Sequence, residues 1–171
     1  MGQHIYLDTN LIIPYLWRSD DDQAALSRDV IQTLRGEVAG QYDKSVKIPK
    51  LVVGEAISEY LEDYFAGELE RGKEPPNDRI MKELINLIEA TEAELVSMKT
   101  ECHRVARELH EDDRELGYND LYIASLAILD SEATHLLSTD DDLVYSRSIE
   151  RVANRRDERE HNLTVATRYG G

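Results

Sequence analysis

Five short apolar runs, separated by longer stretches whose apolar residues recur at helical spacing, leave this chain few folds to adopt. The runs are His4–Leu7, Ser45–Ile48, Glu94–Met98, His135–Ser138 and a weaker Leu163–Ala166. Runs of this length suit buried strands, and the stretches between them are long enough for helical crossovers. Strands alternating with helices imply a parallel sheet with right-handed connections and helices on both faces. The expected fold is α/β: a three-layer α/β/α arrangement around a central, mainly parallel five-stranded sheet.

The helical stretches can be placed in order. Asp8-Thr9-Asn10 is a natural strand-to-helix turn, because such side chains hydrogen-bond local backbone groups. A short helix over Leu11–Trp17 is expected next, with Pro14 tolerated in its first turn. Asp20-Asp21-Asp22 offers an N-cap for a helix with Leu26, Val30, Ile31 and Leu34 on one face. Pro49 should halt the second strand before a helix from about Leu51, carrying Val52, Val53, Ala56, Ile57, Tyr60, Leu61 and Tyr64. Gly67 to Asn77 reads as a connection, and Ile80, Leu84, Ile85 and Ile88 mark another helix. A polar helix over Thr100–Asp112 precedes the most apolar one, Asn119–Asp130, and a short helix is expected over Leu143–Val152. Glu111 to Glu115 and Arg155 to His161 read as charged, solvated surface.

A length of 171 residues with 41% hydrophobic content suits one domain. The whole chain, 1–171, is read as that domain, with a helical insertion or cap around 66–90. No apolar run approaches the ~20 residues of a bilayer span, and the start lacks a signal-peptide pattern, so the expectation is cytoplasmic. The lone Cys102 excludes an internal disulfide and any CxxC site. A formal charge of −15 argues against broad attraction to a nucleic-acid backbone, so an RNA or DNA partner must be engaged locally or through metal. The same acidity suits a basic protein partner and a salt-rich cytoplasm.

In an open parallel sheet, ligands bind at the strand carboxyl ends, where the strand order reverses. Asp8 closes the first strand and Asp140 closes the fourth; Glu55 lies early in the helix after the second strand, and Asp120 opens the helix that returns to the fourth. Topology alone therefore brings four carboxylates to one edge. A helix macrodipole relieves only ~0.3–1 kcal/mol per acid, too little to hold four negative charges together. Such a set raises its own pKa values or recruits a cation, and hard oxygen ligands suit Mg²⁺ or Mn²⁺. That chemistry points to phosphodiester hydrolysis. Taken singly, each acid has a plainer reading: Asp8 and Asp140 as helix caps, Glu55 as an ordinary helix position, Asp120 as a partly buried acid. The conjunction is what singles them out.

Leu7-Asp8-Thr9-Asn10, Val53-Gly54-Glu55, Asn119-Asp120-Leu121-Tyr122-Ile123-Ala124 and Ser138-Thr139-Asp140 resemble, in order, the motifs of the PIN-domain nucleases, including the VapC toxins. The resemblance implies a sheet order of 3-2-1-4-5, with Asp8 and Asp140 flanking the cleft. It implies that Asp8, Glu55, Asp120 and Asp140 bind one or two Mg²⁺ or Mn²⁺ ions and that an activated water attacks an RNA phosphodiester. Thr9, Asn10 and Ser138 would support those ligands by hydrogen bonding, and Asp142 is a further candidate acid. The implied role is the toxin of a type II toxin–antitoxin pair, with a basic antitoxin as partner and a homodimer as assembly, or an RNA-processing factor. Ser138 stands where the family commonly has Thr, Leu143 where it has Phe, and the chain is longer than a compact VapC toxin.

Two other classes compete. An aspartate-based phosphatase also places an Asp after its first strand, but the haloacid-dehalogenase pattern wants a second Asp where this chain has Asn10. A non-cleaving PIN-fold binding module would keep the acids and hold RNA or a protein without turnover. His103 and His110, seven apart, read as surface or helix-packing residues, and Trp17 as core or a partner contact. No P-loop, GxGxxG or GxSxG motif occurs.

Overall fold

A computed structural model describes residues 2–17, 21–67 and 75–170. The strands are β1 (Gln3–Leu7), β2 (Lys44–Pro49), β3 (Glu94–Val96), β4 (Ala133–Leu137) and β5 (Thr164–Ala166). The helices are α1 (Thr9–Trp17), α2 (Asp22–Val38), α3 (Lys50–Ala66), α4 (Pro76–Thr91), α5 (Cys102–Asp112), α6 (Tyr118–Leu129), α7 (Asp141–Tyr145) and α8 (Arg147–Asn154). Every strand pairing is parallel, and the order is β3-β2-β1-β4-β5. Helices α1 to α4 pack with one another, and α5, α6 and α8 form a second group. Right-handed crossovers send successive connections to opposite faces once the order reverses at β1, which separates these two layers.

The burial pattern explains the architecture. Ile5 and Leu7 of β1, Val46 and Ile48 of β2, and Leu136 and Leu137 of β4 are fully or almost fully buried, as expected of central strands covered on both sides. Each such side chain contributes about 1.5–3 kcal/mol when removed from water. Helix α6 is buried continuously from Leu121 to Ile128, so it lies within the molecule rather than on its surface. Only the edges are wetter: β3 leaves Leu95 partly exposed, and Lys47 of β2 pairs with Glu94 there. Among the described residues, no helix is long and apolar enough to cross a membrane.

Several expected boundaries shift for physical reasons. Helix α1 begins at Thr9, so Pro14 sits in its interior rather than its first turn, which deprives the Asn10 carbonyl of its helical donor. Helix α2 is capped by Asp21, whose side chain accepts from the Ala24 N–H at 2.7 Å; Asp20 lies outside the described residues. Gly67 ends α3 in the left-handed region, at φ 83°, where a side chain would be strained. The expected Leu143–Val152 helix is two, broken at Ser146, whose hydroxyl donates to Asp113 at 2.7 Å. Of the 66–90 segment, 68–74 lies outside the described residues; α4 buries Ile80, Leu84 and Leu87 in the main core.

Within Arg155 to His161, expected to be charged surface, Arg155, Asp157, Glu158 and Glu160 are exposed. Arg159 instead turns inward and donates to the carbonyls of Ala127, Ile128 and Asp130 at 2.9–3.1 Å and to that of Ala133. It satisfies the carboxyl end of α6, where backbone acceptors are left over. Burial lowers its pKa from the usual arginine value.

Candidate functional site

The carboxyl ends of β1 and β4 lie side by side, with Leu7 in register with Leu137. The next residues therefore meet: the Asp8 N–H donates to the Leu137 carbonyl at 3.0 Å, and the Ser138 hydroxyl donates to Asp8 Oδ2 at 2.7 Å. Asp8 also caps α1, through the Asn10 N–H to its Oδ2 at 3.3 Å and the Leu11 and Ile12 N–H groups to its carbonyl. The residue is fully buried. Its second oxygen, Oδ1, has no hydrogen-bond partner among the described residues.

Glu55 sits on α3 beyond β2, held from both sides. Thr9 Oγ1 donates to its Oε2 at 2.5 Å, and the Asn119 amide donates to its Oε1 at 2.6 Å. Those two bonds tie α1, α3 and α6 together over the reversal point. Asp120 follows Asn119 in the first turn of α6. Asp140 both caps α7, with Oδ1 accepting from the Asp142 N–H at 2.9 Å, and faces the site, with Oδ2 accepting from the Asn10 amide at 3.1 Å. The same residue therefore caps a helix and sets its charge against Asp120.

The electrostatics agree with the geometry. Asp120 has its pKa pushed up to about 7, first by burial and then by the charges of Asp8, Asp140 and Glu55 in that order. Burial likewise raises Asp8, against the lowering effect of the Ser138 bond, and Glu55 adds to the rise. Asp120 therefore feels the other three acids and Asp8 feels Glu55, and the side-chain donors that reach the four, Ser138, Thr9, Asn10 and Asn119, are neutral. A neutral hydrogen bond contributes about 0.5–1.5 kcal/mol, which does not offset the several kcal/mol of an uncompensated buried carboxylate.

These residues fit a divalent cation. The donors are all hard oxygens, their charges are mutually uncompensated, and Asp8 Oδ1 is a buried acceptor without a partner. Of the residues expected at the site, Asp8, Glu55, Asp120 and Asp140 come together, and Thr9, Asn10 and Ser138 brace them. Asp142 donates its backbone N–H to Asp140 Oδ1, and its side chain is exposed.

Four further residues belong to this neighbourhood. Glu59, one turn beyond Glu55 on α3, has its pKa raised by burial and then by Glu55, with a smaller effect of Asp8. Asn119 holds Glu55. Gly117 approaches so closely that a Cβ there would stand 2.9 Å from Asp120 Oδ2. Thr139 donates to the Asn10 carbonyl at 2.7 Å, the acceptor that Pro14 leaves without a helical partner. The i, i+4 spacing of Glu55 and Glu59, and of Asn10 and Pro14, is visible in the sequence; what each meets is not.

An α/β fold with carboxylates gathered at the sheet reversal defines a class of acidic, cation-suited sites. Residues 5–147 match the PIN domain family, and the chain belongs to that family. Among solved structures, it is similar to one described as VapBC2 from Rickettsia felis bound to a DNA fragment from their promoter, with a TM-score of 0.55 and 15% identity. That likeness covers 94% of this chain and 98% of the other, and it shows the shared fold. Comparison with curated protein sequences finds no significant match.

Proposed function

We propose that this protein is a metal-dependent ribonuclease that hydrolyses RNA phosphodiester bonds, acting as the toxin of a type II toxin–antitoxin pair. The observation that carries the reading is the buried Oδ1 of Asp8, without a hydrogen-bond partner among the described residues, beside an Asp120 whose pKa is pushed up by burial and by the charges of Asp8, Asp140 and Glu55. Asp8, Glu55, Asp120 and Asp140 would hold Mg²⁺ or Mn²⁺. When bound there, such an ion supplies charge neutralisation at phosphate oxygens and acidifies water.

The remaining roles fall to the chain itself. Ser138 and the Asn10 N–H fix the rotamer of Asp8, so that Oδ1 points away from its protein donors. Thr9 and Asn119 hold the two oxygens of Glu55, and Asn10 orients Asp140. Burial lowers the local dielectric, which strengthens each charge interaction with a phosphate-bound cation. The acidic surface, at −15, repels free RNA and favours a basic antitoxin, and the likeness to a VapBC complex supports that partner class. A homodimer in the cytoplasm is part of the same reading.

The test is cleavage of a mixed RNA pool with Mn²⁺ and with chelator. Chelator-sensitive fragments from the wild type, absent from Asp8→Asn and Asp120→Asn, are expected. Equal activity in both variants would sink the assignment, and Mn²⁺ binding without cleavage would favour a binding module.

A further inference from the structure

Beside the acidic site, α5 and α6 enclose an open groove of about 360 Å³. Its walls include Tyr118, Tyr122, His103, His110, Arg107 and Leu121, and no acidic side chain lines it among the described residues. On a chain of net charge −15, a concave surface lined by no acid is a local relief from the overall negative field. Arg107 remains on that surface while its Nε donates to Glu111 at 2.9 Å.

The aromatic rings are ordered by one another. Tyr122 accepts or donates through its hydroxyl to His103 Nδ1 at 2.7 Å, and their rings meet edge to face with centroids 5.3 Å apart. Tyr118 leans on Tyr122 at 4.7 Å between centroids and an interplanar angle of 49°. Tyr118 is nevertheless 70% exposed, so one face of a large ring is presented to solvent on a scaffold that fixes its direction. Tyr118 is also the residue before Asn119, which holds Glu55, and lies within the same helical turn as Asp120. Nothing in the carboxylate chemistry requires an aromatic residue there.

We propose that this groove is a nucleobase-stacking subsite, in which Tyr118 stacks one unpaired base of an RNA strand whose phosphodiester lies at the neighbouring carboxylates. The inference rests on the ribonuclease reading and names how that site takes its substrate. Aromatic faces bind unpaired bases with little regard to sequence, and Arg107 at the rim keeps further N–H groups to donate to a flanking phosphate. The volume suits one nucleotide rather than a duplex. An acidic protein gains most from such a local contact, because its overall field opposes the strand.

The experiment uses the full chain with its carboxylates intact, short fluorescent RNAs, and a scan in which each base in turn is replaced by an abasic residue. Ca²⁺ takes the place of Mg²⁺ in the buffer, as a hard cation that oxygen ligands hold in a looser geometry. One abasic position should weaken binding about tenfold. Tyr118→Ala should weaken the intact RNA by a similar factor and erase that penalty, whereas Tyr118→Phe should keep both. Identical abasic profiles with Tyr118 and with Ala, or no RNA binding at all, overturn the proposal. A change of oligomeric state in Tyr118→Ala, seen by sedimentation, would assign the groove to a second copy of the chain and overturn it as well. Absence of Mn²⁺-dependent cleavage by the wild type overturns the ribonuclease reading by itself, and the abasic scan still scores the groove.

Discussion

The two ends of β1 carry similar chemistry to opposite outcomes. At its start, His4, Asp130 and Glu132 bring three ligand atoms within 4.8 Å of one another, the tightest such group among the described residues. Every one of them is satisfied. His4 Nδ1 meets Asp130 Oδ2 at 2.7 Å, the Tyr6 hydroxyl donates to the same oxygen at 2.8 Å, and the Gly2 N–H donates to Glu132 Oε1 at 3.0 Å. Arg159 adds its positive charge alongside, on the Asp130 carbonyl. At the other end, the acids around Asp8 are less tightly grouped, yet their side-chain partners are neutral and one buried oxygen has none. The proposed cation site thus rests on uncompensated charge on buried oxygens and not on the closeness of ligand atoms.

The largest expected effect that sharpens this contrast is on turnover. Asp8→Asn should reduce metal-dependent RNA cleavage to background while raising the melting temperature of the metal-free protein, because it removes a buried charge and keeps the acceptor for Ser138. Asp130→Asn should do the reverse, costing about 1–3 kcal/mol of stability through its lost bonds while leaving cleavage within about twofold. Comparable loss of cleavage in both would erase the distinction between the two ends.

Cation binding gives the next effect. Mn²⁺ at about a hundredfold over its Kd should stabilise the wild type by about 2.7 kcal/mol in thermal melts, reversibly with chelator. The gain should survive His4→Gln and disappear in Asp8→Asn. A gain that depends on His4 would move the cation to the wrong end of the strand.

Smaller, positional effects follow. Thr139→Val removes the hydroxyl that anchors the Asp140 loop to the Asn10 carbonyl, and should weaken Mn²⁺ affinity by about tenfold, with Thr139→Ser restoring it. Gly117→Ala places a Cβ 2.9 Å from Asp120 Oδ2 and should lower cleavage with a stability change under about 0.5 kcal/mol, since Gly117 already has an ordinary φ of −63°. Isothermal titration and melting curves separate these two from general unfolding.

The last test of the Asp8 end is a slope. Asp120 titrates near 7 in the folded protein and near about 3.9 when unfolded. The folded state therefore holds the extra proton between these values, so its benefit is complete below about pH 4 and is lost as the pH rises through about 7. Metal-free melts should show stability falling over that window, and Asp120→Asn should flatten the fall. A wild-type profile that rises instead would contradict the burial and charge assigned to Asp120.

How much of this was legible in the residues varies by place. The continuous apolar segments of β1, β4 and α6 read directly as buried elements, and the strand–helix alternation led to the parallel sheet and to the edge where Asp8, Glu55, Asp120 and Asp140 meet. Asp140 was legible twice, as cap and as one of four converging acids, because both places use the start of a helix. Arg159 could not be singled out within Arg155 to His161, since a charged run reads as solvated whether or not one guanidinium finds leftover carbonyls at a helix end. Pro14 misled by a few residues, because where a helix starts decides whether a proline sits in its first turn or inside it.

The sequence alone determined the alternation of strand and helix, the residue types at each strand end and the excess of negative charge, because these depend on periodicity and composition. Only the tertiary structure decided which carboxylate oxygens are satisfied. That is a matter of partners far apart in the chain: Ser138 on Asp8, Asn119 on Glu55, Thr139 on the carbonyl freed by Pro14, Arg159 beneath the opposite edge. Hydrogen bonds act over about 3 Å, so no pattern along one strand can reveal them. Whether an acid is a cap, a neutralised partner or a charge awaiting a cation is settled by what the fold brings within that distance.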